Sequence, residues 1–345
     1  MTDPAAPDHQ FAPTPQDAPA AEQAPAAGAG GAVPGPGDTA FVQVSVATLW
    51  GKPRLDRPGT DDPSLSTPAD PDAWNANMDE TETLRWLTGN LETQGVLGSR
   101  VIVDEIDGEW ARVVLVGQPD PSDPRGYPGW VPLGQIVVDP RFEALADSAP
   151  TATVTARRAR LTQDAAGEQP GIEVSFDTVL PVVATGEETV EVAVPGAGTQ
   201  HLPAADVVVR QHGEAPPVPT VEDVVATGER FLGLRYLWSG VSAWGYDCSG
   251  FTYTMFHHHG ITIPRDAGPQ LKHADLRRVE REDLRRGDLV FFAEEPGAEG
   301  IAHVAMYVGD DQIMHAPNAP RSISVESLTE YDTAGKYAGA VRVID

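Results

Sequence analysis

Short runs of alternating apolar and polar residues dominate the chain from about position 40 to position 210. FVQVSVATLW at 41–50 reads as a strand, and VIVDEIDGEWARVVLVG at 101–117 as a strand, a turn at Asp107-Gly108 and a second strand. GYPGWVPLGQIVV at 126–138 reads as a turn leading into a further strand, and MDETETLRWLTGNLETQG at 78–95 supplies a short helix. Successive side chains of a strand face opposite ways, so strands this short, punctuated by Gly and Pro, predict a small barrel. The pattern recurs in TATVTARRARLTQ, IEVSFDTVLPVVATGEETVEVAVPG and TQHLPAADVVV, which predict four or five strands across 150–210 with Thr185-Gly186 at one bend. The recurrence points to a duplicated barrel.

Beyond QHGEAPPVPT the period changes. In TVEDVVATGERFLG, Thr220 and Asp223 have the spacing of a capping box, and Val221, Val224, Val225, Phe231 and Leu232 fall on one helical stripe. DCSGFTYTMFHHHG predicts a second helix closed by Gly260, and RRGDLVFFA, AHVAMYVG and QIMHA predict strands. Helices followed by antiparallel strands describe an α+β domain. The expected organisation is a disordered Ala/Pro-rich segment at 1–38, a barrel at 39–140, a second at 150–210, a Pro-rich linker at 211–219 and the α+β domain at 220–345.

Composition narrows the function. Asp and Glu total 51 against 24 Lys and Arg, a formal charge of -27 that repels phosphate backbones and anionic lipid, so neither nucleic acid nor a membrane is expected as a partner. Only Lys52, Lys272 and Lys336 are lysines, which reads as base-composition bias. No window reaches the roughly 18 apolar residues of a membrane span. With Met1 as the start, the N-terminal stretch lacks a basic opening and an apolar run, so a cytoplasmic location is expected.

Cys248 is the only cysteine, so no internal disulfide is available to it. A thiol attacks carbonyls as thiolate, and a helix N-terminus and a neighbouring imidazolium both favour that form. Phe251, Met255 and Phe256 share a helical face, which puts Cys248 in the first turn. His303 opens the strand HVAMYVG, and the chain turns near Gly309-Asp310-Asp311 to bring His315 back towards it. The two rings share a face only if the connection has an odd residue count or a bulge. If they meet, His315 orients His303, completing a nucleophile, a base and an orienter.

YLWSG, DCSGF, IPRDA, RRGDLVFF, HVAMYVG and MHAP occur in this order, and together the region 220–345 resembles the NlpC-type papain-like cysteine peptidases that cut bacterial cell-wall peptides. The whole chain resembles a narrower group: two bacterial SH3-like barrels followed by this domain, in γ-D-glutamyl-L-diamino-acid endopeptidases of the dipeptidyl-peptidase type. The resemblance implies Cys248 as nucleophile, His303 as base, His315 as third residue, and the Tyr236 hydroxyl beside an oxyanion site that the Cys248 N–H shares. It implies that Glu92 of LETQG, Tyr127 of GYPGW and Asp247 read a free N-terminal amine, and that Ser249 and Asp266 line the pocket. A serine found after the Arg-Asp pair in that group is Ala267 here. The implied activity is cleavage after D-Glu in peptides with a free N-terminal L-Ala during recycling of wall fragments, with no cofactor and no metal; the resemblance leaves the oligomeric state and the identity of the diamino acid open.

Two other readings stand beside it. The barrels and a catalytically retired third domain would make a wall-peptide or protein-binding scaffold, and the same thiol fold also serves amidases and acyl transferases. His257-His258-His259 lacks a spaced second cluster and is expected to be a solvated helix end, not a metal site.

Overall fold

The computed structural model describes residues 31–345. Two seven-stranded sheets, one six-stranded sheet and a short hairpin carry the architecture. The first sheet is built from β1 (Thr39–Val42), β2 (Val46–Trp50), β3 (Leu91–Val96), β4 (Arg100–Asp107), β5 (Trp110–Leu115), β6 (Tyr127–Pro132) and β7 (Ile136–Val137). The second contains β8 (Thr151–Val154), β9 (Arg158–Thr162), β10 (Pro170–Ser175), β11 (Val179–Thr185), β12 (Thr189–Val194), β13 (Gly198–Pro203) and β14 (Val207–Arg210). Their strand orders are β3-β2-β6-β5-β4-β1-β7 and β10-β9-β13-β12-β11-β8-β14. The second order is the first with seven added to each strand number, so the same topology occurs twice.

Several sequence expectations change in detail. FVQVSVATLW is two strands, because a bend at Val44-Ser45 interrupts it. YPGWVP, read as a turn, is β6, held by a full ladder to β5 from Trp110↔Pro132 to Leu115↔Tyr127. The second barrel has seven strands where four or five were expected, because several are too short to carry visible alternation. Leu232 lies beyond the helix Val221–Glu229 and is exposed, whereas Val224, Val225 and Phe231 are buried as the stripe requires. The expected disorder of 1–38 falls mainly on residues 1–30, outside the described residues. For 31–38 it is corrected: Ala32 bridges Val138 and the Gly37 N–H bonds the Val103 carbonyl, so backbone pairing holds a segment with little to bury.

The third sheet, antiparallel throughout, has the order β17-β22-β18-β19-β20-β21. Its members are β17 (Arg277–Val279), β18 (Leu289–Ala293), β19 (Ile301–Gly309), β20 (Gln312–His315), β21 (Ser324–Ser327) and β22 (Tyr337–Arg342), preceded by the hairpin β15 (Val241–Ser242) and β16 (Gly245–Tyr246). The helix Cys248–His257 packs on β19, with Phe251, Met255 and Phe256 buried.

One apolar core runs through all three units. Trp50, Trp74, Leu87 and Leu91 of the first barrel and its inserted helices join Phe176 of the second and Phe231, Tyr246, Phe251 and Met255 of the third. Fully buried aromatic contacts, such as Phe176 against Phe231 at 5.2 Å, make these interfaces resemble a domain interior. Polar bonds fix the register: Arg235 donates to the carbonyls of Asn75 at 2.7 Å and Met78 at 2.8 Å, and Asn75 donates to the Trp244 carbonyl. The first barrel is thereby held against the third unit.

Candidate active site

Asp247 caps the helix Cys248–His257, accepting from the Gly250 N–H at 2.6 Å. Cys248 therefore sits at the first helical position, where backbone N–H groups have no intrahelical acceptor, and its own N–H donates to no described group. The two residues after it are dictated by space and charge. A Cβ on Gly250 would lie 2.1 Å from the Gly240 carbonyl oxygen, and the Ser249 hydroxyl accepts from Arg265 at 2.9 Å. The Asp-Cys-Ser-Gly run is thus the tightest point between the helix and the YLWSG turn.

His303 and His315 meet. Met306 pairs with Met314 and Tyr307 with Ile313, but Gly309 pairs with Gln312, so a register shift at the turn puts both histidines on one face. His303 Nε2 lies 2.8 Å from His315 Nδ1, and Tyr331 packs against both rings, at 5.5 and 4.8 Å. His303 keeps Nδ1 for another partner. The neighbouring Val304 N–H is near enough to the Cys248 sulfur to favour its thiolate, so the thiol lies beside the start of this strand.

Burial, reinforced by the Asp247 carboxylate, pushes the Cys248 thiol up to about 12, although the Val304 and Ser249 N–H groups favour the thiolate. Burial, then His315 and Arg321, holds His303 well below the ordinary imidazole range. Desolvation thus opposes the helix mouth at Cys248 and favours the neutral form of both side chains. Tyr236 is buried, lies close enough to Cys248 and Asp247 to feel their charge, and is held protonated by burial. Its hydroxyl has no hydrogen-bond partner among the described residues.

Arg265 is the residue that motif reading passed over. It is 1% exposed and spends its donors on Asp247 (Nη1 to Oδ1 at 3.1 Å, Nη2 to Oδ2 at 2.7 Å), on Ser249 and on Thr93 Oγ1 of the first barrel at 3.0 Å. Its presence in IPRDA, beside an acid already singled out, was the available signal. Both Asp247 oxygens are occupied by this pair and the helix cap, so its carboxylate is neutralised within the protein. Asp266 behaves differently. Standing at the N-cap of the helix Ala267–Lys272, it makes no cap bond and instead accepts from the Tyr127 hydroxyl at 2.8 Å. A cap given up for a contact across an interface marks a position whose side chain serves something other than its helix.

Glu92, Asp120 and Tyr127 line a cavity of about 370 Å³ on the first barrel. Burial, then Asp266 and Asp120, raises Glu92, and burial raises Asp266 against the opposing pull of Arg265 and Tyr127. Two guanidinium groups stand near these acids, Arg112 in the cavity lining and Arg265 at 3.5 Å from Asp266 Oδ1, but each is shared with another carboxylate, Asp104 and Asp247. A second cleft, of about 620 Å³, is lined by His303 itself with Tyr236, Tyr331, Arg85, Glu294 and Lys336.

The His257-His258-His259 run is corrected from a solvated helix end to a clasp between units. Asp177, in the turn of the second barrel, is 2.6 Å from His257 Nδ1 and 3.1 Å from His258 Nδ1, and His259 Nε2 meets Thr227 Oγ1 at 2.9 Å. No group of three or more His, Cys, Asp or Glu side chains among the described residues is arranged to hold a metal.

Residues 233–342 match the NlpC/P60 family and residues 154–209 the YKFC SH3b2 domain. The chain is 40% identical over 307 residues to the gamma-D-glutamyl-L-lysine dipeptidyl-peptidase of Bacillus cereus, covering 88% of this chain and 91% of that one. The chain belongs to the NlpC/P60 family. A Bacillus subtilis protein of the same name is 37% identical, with 83% of this chain and 92% of that one covered. The crystal structure of an NlpC/P60 family protein from Bacillus cereus superposes with a TM-score of 0.85 at 38% identity, over 89% of this chain and all of the other. The fold is the expected multidomain one, SH3-like barrels followed by a papain-like unit, and the chain is a cysteine peptidase, which removes the scaffold reading. No helix among the described residues is long and apolar enough to cross a membrane.

Proposed function

We propose that this peptidase hydrolyses the bond between the γ-carboxyl of D-Glu and a diamino acid in peptidoglycan-derived peptides that begin with a free L-Ala. The observation that carries the reading is the group of acids Glu92, Asp120 and Asp266 gathered around the Tyr127 hydroxyl, whose guanidinium neighbours Arg112 and Arg265 are shared with Asp104 and Asp247. A carboxylate cluster at that place is complementary to an ammonium group, and the names of the Bacillus relatives agree with such a substrate. Asp247 is assigned a supporting part: it orients Arg265 and Ser249 and caps the helix, leaving Glu92 and Asp266 to meet the amine. In intact wall the L-Ala amine is acylated, so a pocket requiring it free selects released fragments, consistent with recycling inside the cell.

The geometry supports the following sequence. His303 Nδ1 takes the Cys248 proton as the sulfur attacks the γ-carbonyl carbon, and the resulting imidazolium and oxyanion are stabilised together. The Cys248 N–H and the Tyr236 hydroxyl donate to the oxyanion. Collapse breaks the C–N bond, the leaving amine takes its proton from His303, and the diamino acid departs into the cleft lined by Arg85, Glu294 and Lys336. Water, deprotonated by His303, then splits the thioester and releases L-Ala-D-Glu.

Incubation with L-Ala-γ-D-Glu-L-Lys and its N-acetyl counterpart tests the assignment. Cleavage of the free peptide with at least tenfold lower kcat/KM on the acetylated one is expected; equal rates would remove the amine pocket, and cleavage of neither would remove the substrate.

A further inference from the structure

His315 is fully buried, and its Nε2, the ring nitrogen turned away from His303, makes no hydrogen bond of good geometry. A buried N–H or ring nitrogen left without a partner is rare enough to require an explanation. The nearest charged acceptor is Glu326 Oε1, 3.3 Å away, on β21, the strand that pairs with β20. That oxygen is itself held: Ser324 Oγ donates to it at 2.7 Å and Arg321 forms an ion pair with it. The carboxylate is only partly exposed, so it faces His315 with its orientation set from two sides.

An ionised carboxylate accepts and never donates. Facing Glu326, Nε2 of neutral His315 must carry the ring proton, which leaves Nδ1 as a lone pair. His303 Nε2, 2.8 Å from that lone pair, must then be the donor. A neutral imidazole carries one proton, so His303 Nδ1 is left bare and able to accept from a thiol. Were His315 protonated on Nδ1 instead, it would donate to His303 Nε2, put the His303 proton on Nδ1 and leave the base unable to work. The His303–His315 pair has these two arrangements, and the groups around it bias the choice: Glu326 on one side, with Arg321 behind it, and the uncharged Tyr331 and Phe292 rings on the other.

We propose that Glu326 is a positioning residue that sets the tautomer of His303 through His315. The proposal rests on the reading of Cys248, His303 and His315 as the reacting set, and it extends that set by one residue that touches neither substrate nor sulfur.

The test uses the full chain and L-Ala-γ-D-Glu-L-Lys. Glu326→Leu, which has no acceptor, is expected to lower kcat ten- to hundredfold with KM changed less than twofold. Glu326→Gln, whose amide oxygen can face Nε2–H as the carboxylate does, recovers most of that loss. In a His315→Asn background Glu326→Leu changes kcat less than twofold, because the group it acts through is gone. The 15N spectrum of the wild type shows both histidines protonated on Nε2, and Glu326→Leu moves signal to Nδ1–H. A wild-type His303 protonated on Nδ1, or an equal loss in both backgrounds, overturns the proposal whether or not Glu326→Leu folds well. Should the peptide prove not to be a substrate, alkylation of Cys248 by iodoacetamide between pH 6 and 8 separates the two claims. Faster alkylation of wild type than of Glu326→Leu supports the tautomer assignment while the substrate reading falls, and equal alkylation overturns the assignment itself.

Discussion

Removing the Arg265 guanidinium while keeping its bulk, as Arg265→Met does, would leave the Asp247 carboxylate buried without its cation. Arg265 is 1% exposed and Asp247 6%, and they share two hydrogen bonds, at 3.1 and 2.7 Å. Solvent therefore screens the pair little, and breaking such a pair from one side costs about 3–5 kcal/mol. The lost bonds to Thr93 and Ser249 add little, because those hydroxyls still donate to Gln118 at 2.6 Å and to Asp247 at 3.3 Å, so a loss within that range is expected at pH 7. An unpaired buried carboxylate has its folded-state pKa raised above the unfolded value. The penalty is then fully present above the raised value and disappears as pH falls below about 4, the ordinary aspartate range. Urea unfolding followed by tryptophan fluorescence at pH 7.5 and pH 4 reads both numbers as differences from wild type. Adding Asp247→Asn to Arg265→Met keeps a helix cap, removes the stranded charge and recovers at least half of the loss. A single variant within about 1 kcal/mol of wild type at pH 7.5, or a loss that does not shrink at pH 4, would refute the view that this pair is buried and mutually dependent.

Because burial holds the free Cys248 thiol near 12, its alkylation rate without substrate should climb through pH 8 and 9 without a plateau; a plateau near pH 6 would mean a resting ion pair. Asp177 is lowered in spite of its burial by His257 and His258, and His257 is raised by Asp177 against its own burial. The aspartate's contribution is lost as pH falls through its lowered folded value, and the histidine's as pH rises through its raised one. The clasp is thus at full strength from about pH 4 to 6.5. Asp177→Asn should cost most stability in that window and less at pH 8.5, by thermal melts; a pH-independent loss would contradict this. In the cleft that His303 lines, Arg85 and Lys336 outnumber Glu294, so a leaving diamino acid with a second carboxylate should be cleaved with higher kcat/KM than L-Lys. Lys336→Met should narrow that difference at least threefold, and an unchanged ratio would show that Lys336 does not contact the leaving residue.

Much of this protein was legible in one dimension because the relevant physics is local. Alternation in 101–117 predicted β4 and β5 with their turn, because each residue's choice of face depends only on its own strand. Thr220 and Asp223 announced the capping box that the structure shows, because both partners lie within one turn. Phe251, Met255 and Phe256 framed the thiol at a helix start because a helical face is set by residues within two turns of one another. Tertiary structure decided what depends on distance through space. Whether His303 and His315 face each other hangs on one bulge at Gly309, and a shift of one residue would have sent the rings to opposite faces. Arg265 was only a letter in IPRDA until Thr93, 172 residues away, and Asp247 closed around it, and the histidine run looked solvated until Asp177 arrived from another unit. The protonation of the thiol belongs to the same class: a helix N-terminus can be read from a sequence, but the desolvation that opposes it is a sum over every neighbour the fold brings near.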